Sequence, residues 1–139
     1  MYNYNDKKYK KWRELIFKRD HFLCQLCAAS KKLNAHHILR KVDRPDIAYL
    51  RSNGITLCEK CHHVVTGKEQ VFEKIFLAIT ARKLTLELVY SFFSNLCNVY
   101  PELVDKFKKI RKWDKIPLVM SNIIKNKHVN TGLCGKSVP

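Results

Sequence analysis

The stretch that decides the fold runs CQLC (24–27), AHHI (35–38) and NGITLCEKCHH (53–63). Two Cys-x-x-Cys pairs, Cys24/Cys27 and Cys58/Cys61, bracket a histidine doublet, His36 and His37. A second doublet, His62 and His63, follows the last cysteine directly. Four of the six cysteines and four of the six histidines fall in these forty residues, a concentration that points to metal chemistry. A Cys-x-x-Cys turn brings two thiolates to about 2.3 Å from one ion. Two such turns make a four-thiolate zinc site that staples the segment between them. That site is coordinatively closed, so it determines shape and not reaction. The histidines are then left for a second site. Neighbours in a strand point to opposite faces, so His36 and His37 divide the work. One ligates an ion, and the other acts beside it.

Outward from this stretch, residues 6–19 form a helix capped by Asp6, with Tyr9, Trp12, Leu15 and Ile16 at helical spacing. Phe22 and Leu23 are expected beneath the metal. Leu33–Leu39 is a short strand, and Ile55–Leu57 is its partner after an Asn53-Gly54 turn. Residues 40–52 carry Pro45 and a run of basic side chains, which suits an exposed loop. A helix starts at Cys58 and carries Cys61, His62 and His63 on its first turns. Beyond Gly67 the composition shifts to helix formers. One apolar face runs through Glu69–Lys83, a second helix follows the cap Thr85, a third runs from Pro101 to near Trp113, and a short fourth opens at Pro117. The expected organisation is a zinc-stapled module at 1–67, a helical extension at 68–127 and a flexible tail at 128–139. The fold class is α+β: a small ββα core, an amino-terminal helix and an all-helical carboxyl-terminal extension.

The chain has 139 residues and a formal net charge of +15, with a pI of about 9.7. Such an excess attracts a polyanion, and nucleic acid is the first candidate. A hydrophobic content of 46% excludes disorder as the main state. No apolar run approaches the ~20 residues of a membrane span, and the start has no apolar signal segment. A cytoplasmic protein is the expectation, and paired thiols in a reducing compartment favour zinc over disulfides.

Residues 12–67 resemble the HNH (His-Asn-His) endonuclease module, the ββα-metal nucleases, in the subgroup whose zinc is held by two Cys-x-x-Cys pairs. The likeness is carried by Ala35-His36-His37-Ile38, by Asn53 five residues before Cys58, and by Ile55-Thr56-Leu57-Cys58 running into Cys61-His62. The lead-in through Trp12, Arg13, Arg19 and Asp20 also agrees. The resemblance implies a metal-dependent DNA endonuclease, a nickase or double-strand cutter. It assigns His37 as the general base and Asn53 as the residue that orients the base's loop. His36 and His62 become ligands of one catalytic divalent ion, and Cys24, Cys27, Cys58 and Cys61 hold the structural zinc.

Two departures narrow what carries over. His36 stands where magnesium-using members carry aspartate, which leaves Mg, Mn, Ni or Zn open as the catalytic ion. His63 competes with His62, but adjacent helical positions differ by about 100°, which favours His62. Arg40, Lys41, Arg44 and Arg51 are expected to hold DNA by its phosphates. The extension offers a surface for a homodimer or a protein partner. A phage or mobile-element setting, in a bacterial or phage-infected cell, follows by resemblance alone. The rival reading is a catalytically inactive, zinc-dependent DNA-binding module; a further rival is a protein-interaction adaptor working through the helices.

Overall fold

A computed structural model describes residues 5–110. Helix α1 spans Lys7–Arg19, and the Asp6 carboxylate accepts the Lys8 N–H at 3.0 Å to cap it. Trp12, Ile16 and Phe17 form its buried face. Strands β1 (Leu33–His37) and β2 (Gly54–Cys58) pair antiparallel, with Leu33 opposite Cys58 and His37 opposite Gly54. Helix α2 (Glu59–Val65) follows at once, and Gly67 turns the chain at φ 85° into α3 (Glu69–Thr80). Helices α4 (Leu86–Val99) and α5 (Pro101–Lys108) complete the described chain. The fold class is α+β.

The two faces of the hairpin bury two different clusters. On one face α1 lies across the strands and packs Trp12, Ile16 and Phe17 against Ala35. A Cβ at Gly54 would stand 2.6 Å from side-chain atoms of both Trp12 and Ile16. Only glycine therefore lets α1 approach this closely. On the other face Ile55 and Leu57 join Val65, Phe72, Phe93 and Phe107 in a larger cluster shared with α2 to α5. The carboxyl-terminal helices are thus continuous with the core beneath the hairpin.

A buried ion pair ties α1 to β2. Arg19 and Asp20 meet at 2.9 Å with side chains about 7% exposed. Asp20 also accepts the Thr56 N–H at 2.8 Å, and Arg19 donates to the Arg51 and Gly54 carbonyls at 2.6 Å. Every charge in this pair has partners, which is the condition for tolerating it in the interior.

Four differences from the sequence reading have local causes. β1 stops at His37 because Leu39, two residues on, spends both its N–H and its carbonyl on the Asn53 side chain instead of continuing the ladder. The basic segment between the strands contains two short 3-10 turns, Pro45–Ile47 and Arg51–Asn53. α3 ends at Thr80, and Arg82 takes a positive φ of 55°, which a helix cannot continue through. Phe22 and Leu23 do not tuck beneath the thiols; they are 50% and 38% exposed, and buried Leu26 takes that place. His21 and Phe22 both adopt positive φ and turn the chain outward there. The expected continuation of the third helix to Trp113, the helix from Pro117 and the tail at 128–139 lie outside the described residues.

Candidate functional site

The thiols of Cys24, Cys27, Cys58 and Cys61 are buried, and their sulfurs all lie within 4.8 Å of one another. Cys24 and Cys27 sit on a turn closed by two backbone bonds of 2.8 Å, Ala28 N–H to the Cys24 carbonyl and Cys24 N–H to the Ala29 carbonyl. Cys58 ends β2 and caps α2, accepting the Cys61 N–H at 3.5 Å. The Cys27 and Cys58 sulfurs are 3.6 Å apart. Four sulfurs at ~2.3 Å around a tetrahedral ion would be about 3.8 Å apart, so the quartet fits one. Hydrogen bonding among the thiols splits their acidities. The bond with Cys24 leads in holding Cys27 down at about 7 and in pulling Cys58 down, while Cys24 and Cys61 are pushed up by their neighbours. Four buried sulfurs at this spacing form the donor set of a single cation.

β1 sends its two histidines to opposite faces. The His36 ring lies on the α2–α3 side, 5.4 Å from the His62 ring at 73° and 6.0 Å from Phe76. His36 Nε2 is buried and has no hydrogen-bond partner among the described residues. An orphaned buried nitrogen costs stability unless a ligand satisfies it. His37 lies on the α1 side, stacked on Trp12 at 4.1 Å and 13°. Trp12 is itself fixed by its indole N–H, which donates to the Leu50 carbonyl at 3.0 Å. Both rings reach the same open cleft of about 470 Å³, whose walls also include His62, Arg40, Lys41 and Glu69.

The electrostatics of the cleft keep its imidazoles neutral. Burial pushes His36 down to about 4, reinforced by His62 and opposed by Glu69. Burial pushes His37 down to about 4 as well, with a hydrogen bond to the Ala48 backbone acting against it and Lys41 adding to it. His62 is also lowered by burial, again opposed by Glu69. Neutral imidazole is the form that ligates metal or accepts a proton.

Asn53 is 2% exposed and uses its whole amide on one residue. Its Oδ1 accepts the Leu39 N–H at 2.8 Å, and its Nδ2 donates to the Leu39 carbonyl at 3.0 Å. The Asn53 carbonyl accepts the Ile38 N–H at 3.1 Å. These three bonds clamp the two residues that follow His37.

Of the four basic residues singled out between the strands, Arg40 and Lys41 line the cleft. Lys41 is held by the Tyr49 hydroxyl at 2.8 Å and lies over that ring. Arg40 pairs with Asp43 at 3.1 Å in an exposed bridge. Arg44, paired with Asp46 at 2.9 Å, and exposed Arg51 stand off the cleft. His62, not His63, faces His36; His63 is exposed.

Three contributors were not legible as site residues. Glu69 brings a carboxylate to the cleft from the first turn of α3, and its only sequence signal was an acid two residues past Gly67. Trp12 looked like a plain core anchor but is the platform for His37. Arg19 and Asp20 enter the sequence reading only as part of the lead-in, with no ion pair between them foreseen.

Residues 24–67 match the model of the HNH endonuclease family, so this stretch is an HNH domain. Comparison with curated proteins and with solved structures finds no match.

Proposed function

We propose that the protein is a metal-dependent DNA endonuclease whose general base is His37. The observation that carries this reading is the division of the doublet: His36 shares a face with His62, His37 sits on the opposite one, and both border one cleft with basic walls. In this reading the neutral His37 imidazole accepts the proton of a water as that water attacks phosphorus. The bond from phosphorus to the 3′-oxygen breaks, leaving a 5′-phosphate and a 3′-hydroxyl. Asn53 positions the base by holding the backbone just beyond it, and Arg40 and Lys41 hold the strand by its phosphates.

His36 and His62 would hold a divalent ion, with Glu69 within the same cleft to complete the set. Bound there, the ion would neutralise charge on the phosphate and on the departing oxygen. Two imidazoles suit Mn, Ni or Zn better than Mg, which prefers oxygen ligands. The four thiolates would hold a separate structural zinc, since thiolate donors in a closed tetrahedron select that metal.

Supercoiled plasmid incubated with the protein and Mg²⁺, Mn²⁺, Ni²⁺ or Zn²⁺ is expected to become nicked or linear with at least one of them. Binding of the plasmid without cleavage by any metal would instead favour an inactive DNA-binding module. His62→Ala tests the ligand assignment. Its affinity for the second ion should fall by at least about tenfold, the lower end for losing even an outer-shell partner. Metal analysis should still find one zinc per chain; loss of that zinc would mean the histidine serves the thiolate site.

A further inference from the structure

The cleft does not end at His62. A trough of about 800 Å³ between α2 and α5 shares Asn34, His62 and Thr66 with it. Lys60 and His63 of α2 form one side of this trough, and Lys106 and Lys109, at the end of α5, form the other. Lys60, Lys106 and Lys109 are exposed and take part in no ion pair among the described residues. The trough's one carboxylate, Glu59, is engaged by Lys32 at 3.6 Å. The trough therefore presents uncompensated positive charge, continuous with the cleft in which the scissile phosphate would lie.

The helices that build the far wall are held there by the core. Leu103, Val104 and Phe107 of α5 are buried in the same cluster as Val64 and Val65 of α2. Lysines at the end of a helix also suit the negative end of its dipole, and that alone would explain a single one of them. It does not explain why they face Lys60 and His63 across a groove that opens into the cleft.

We propose that this trough is a second phosphate track, in which Lys106 and Lys109 grip the backbone of the DNA on its way out of the cleft. The helical extension is then part of the substrate-binding surface. The proposal rests on the endonuclease reading above, and the test separates the two. Full-length protein carrying His37→Ala, which should bind without cutting, is titrated with a labelled 30-base-pair duplex across a series of salt concentrations. Adding Lys106→Ala and Lys109→Ala should weaken binding, and should flatten the plot of log affinity against log salt by about 1.8, since each lost phosphate contact removes about 0.9. Lys106→Gln with Lys109→Gln, which keeps most of the side-chain stems, should give the same change, with zinc content and circular dichroism unaltered.

Unchanged affinity and slope in a folded variant of either kind would overturn the second track while leaving the endonuclease reading in place. Failure of the His37→Ala parent itself to bind DNA would overturn both.

Discussion

Replacing His37 with alanine is expected to lower plasmid cleavage by about 10²–10⁴-fold, the usual contribution of a positioned general base. That corresponds to about 3–5 kcal/mol of lost transition-state stabilisation. The expectation rests on three features of the side chain. Burial keeps it neutral near pH 7, so it is ready to take a proton. Its ring is fixed against Trp12, and the backbone beyond it is clamped by Asn53. Its ring lies on the face of β1 opposite His36 and the His62 ring, so removing it should spare the thiolate quartet and any ion those two histidines would hold. Alanine also leaves a gap beside Trp12, and a structural effect must be told apart from a chemical one. His37→Gln fills most of that gap with a side chain that is no base at neutral pH. Both variants should bind DNA, retain zinc and show the parental thermal transition while losing cleavage. Substantial cutting by either would remove His37 from the role.

The thiol quartet was legible because its spacing is dictated by coordination. Two thiols separated by two residues form a chelating turn wherever they occur, and the quartet duly converges. The Asp6 and Thr85 caps were legible for a similar reason, since each acts within three residues of itself. Strand alternation gave the split between His36 and His37 before any fold was known. What stayed hidden depends on residues far apart in sequence. Arg19 and Asp20 become a buried pair only where β2 and the preceding turn close over them and supply carbonyls and an amide. The resemblance pointed to Asn53 as the residue that orients the loop after His37, but its means, an amide spent on Leu39, is visible only in the fold. Among the basic residues, local pairing decided much: Arg44 binds Asp46 two positions away, while Arg40 and Lys41 reach the cleft because they follow β1 directly.

Stripping the thiolate metal should unfold the protein. Structural zinc in small modules contributes an apparent 10–16 kcal/mol or so, comparable with or above the roughly 5–15 kcal/mol that holds a typical domain together. The position of the quartet makes the loss general. Cys24 and Cys27 anchor the segment after α1, whereas Cys58 and Cys61 join β2 to α2, and all four are part of the cluster that continues into α3, α4 and α5. Without the ion, nothing ties the Cys24–Cys27 turn to the Cys58–Cys61 end of the hairpin. Treatment with a strong chelator, or Cys24→Ser, should therefore abolish the cooperative thermal transition of the whole chain and collapse the helical circular dichroism. Adding zinc back should restore the chelated wild type but not the serine variant. If the chelated protein kept its full transition with zinc shown to be absent, packing alone would hold the hairpin. The four thiols would then be a dispensable ornament of the fold and not its staple.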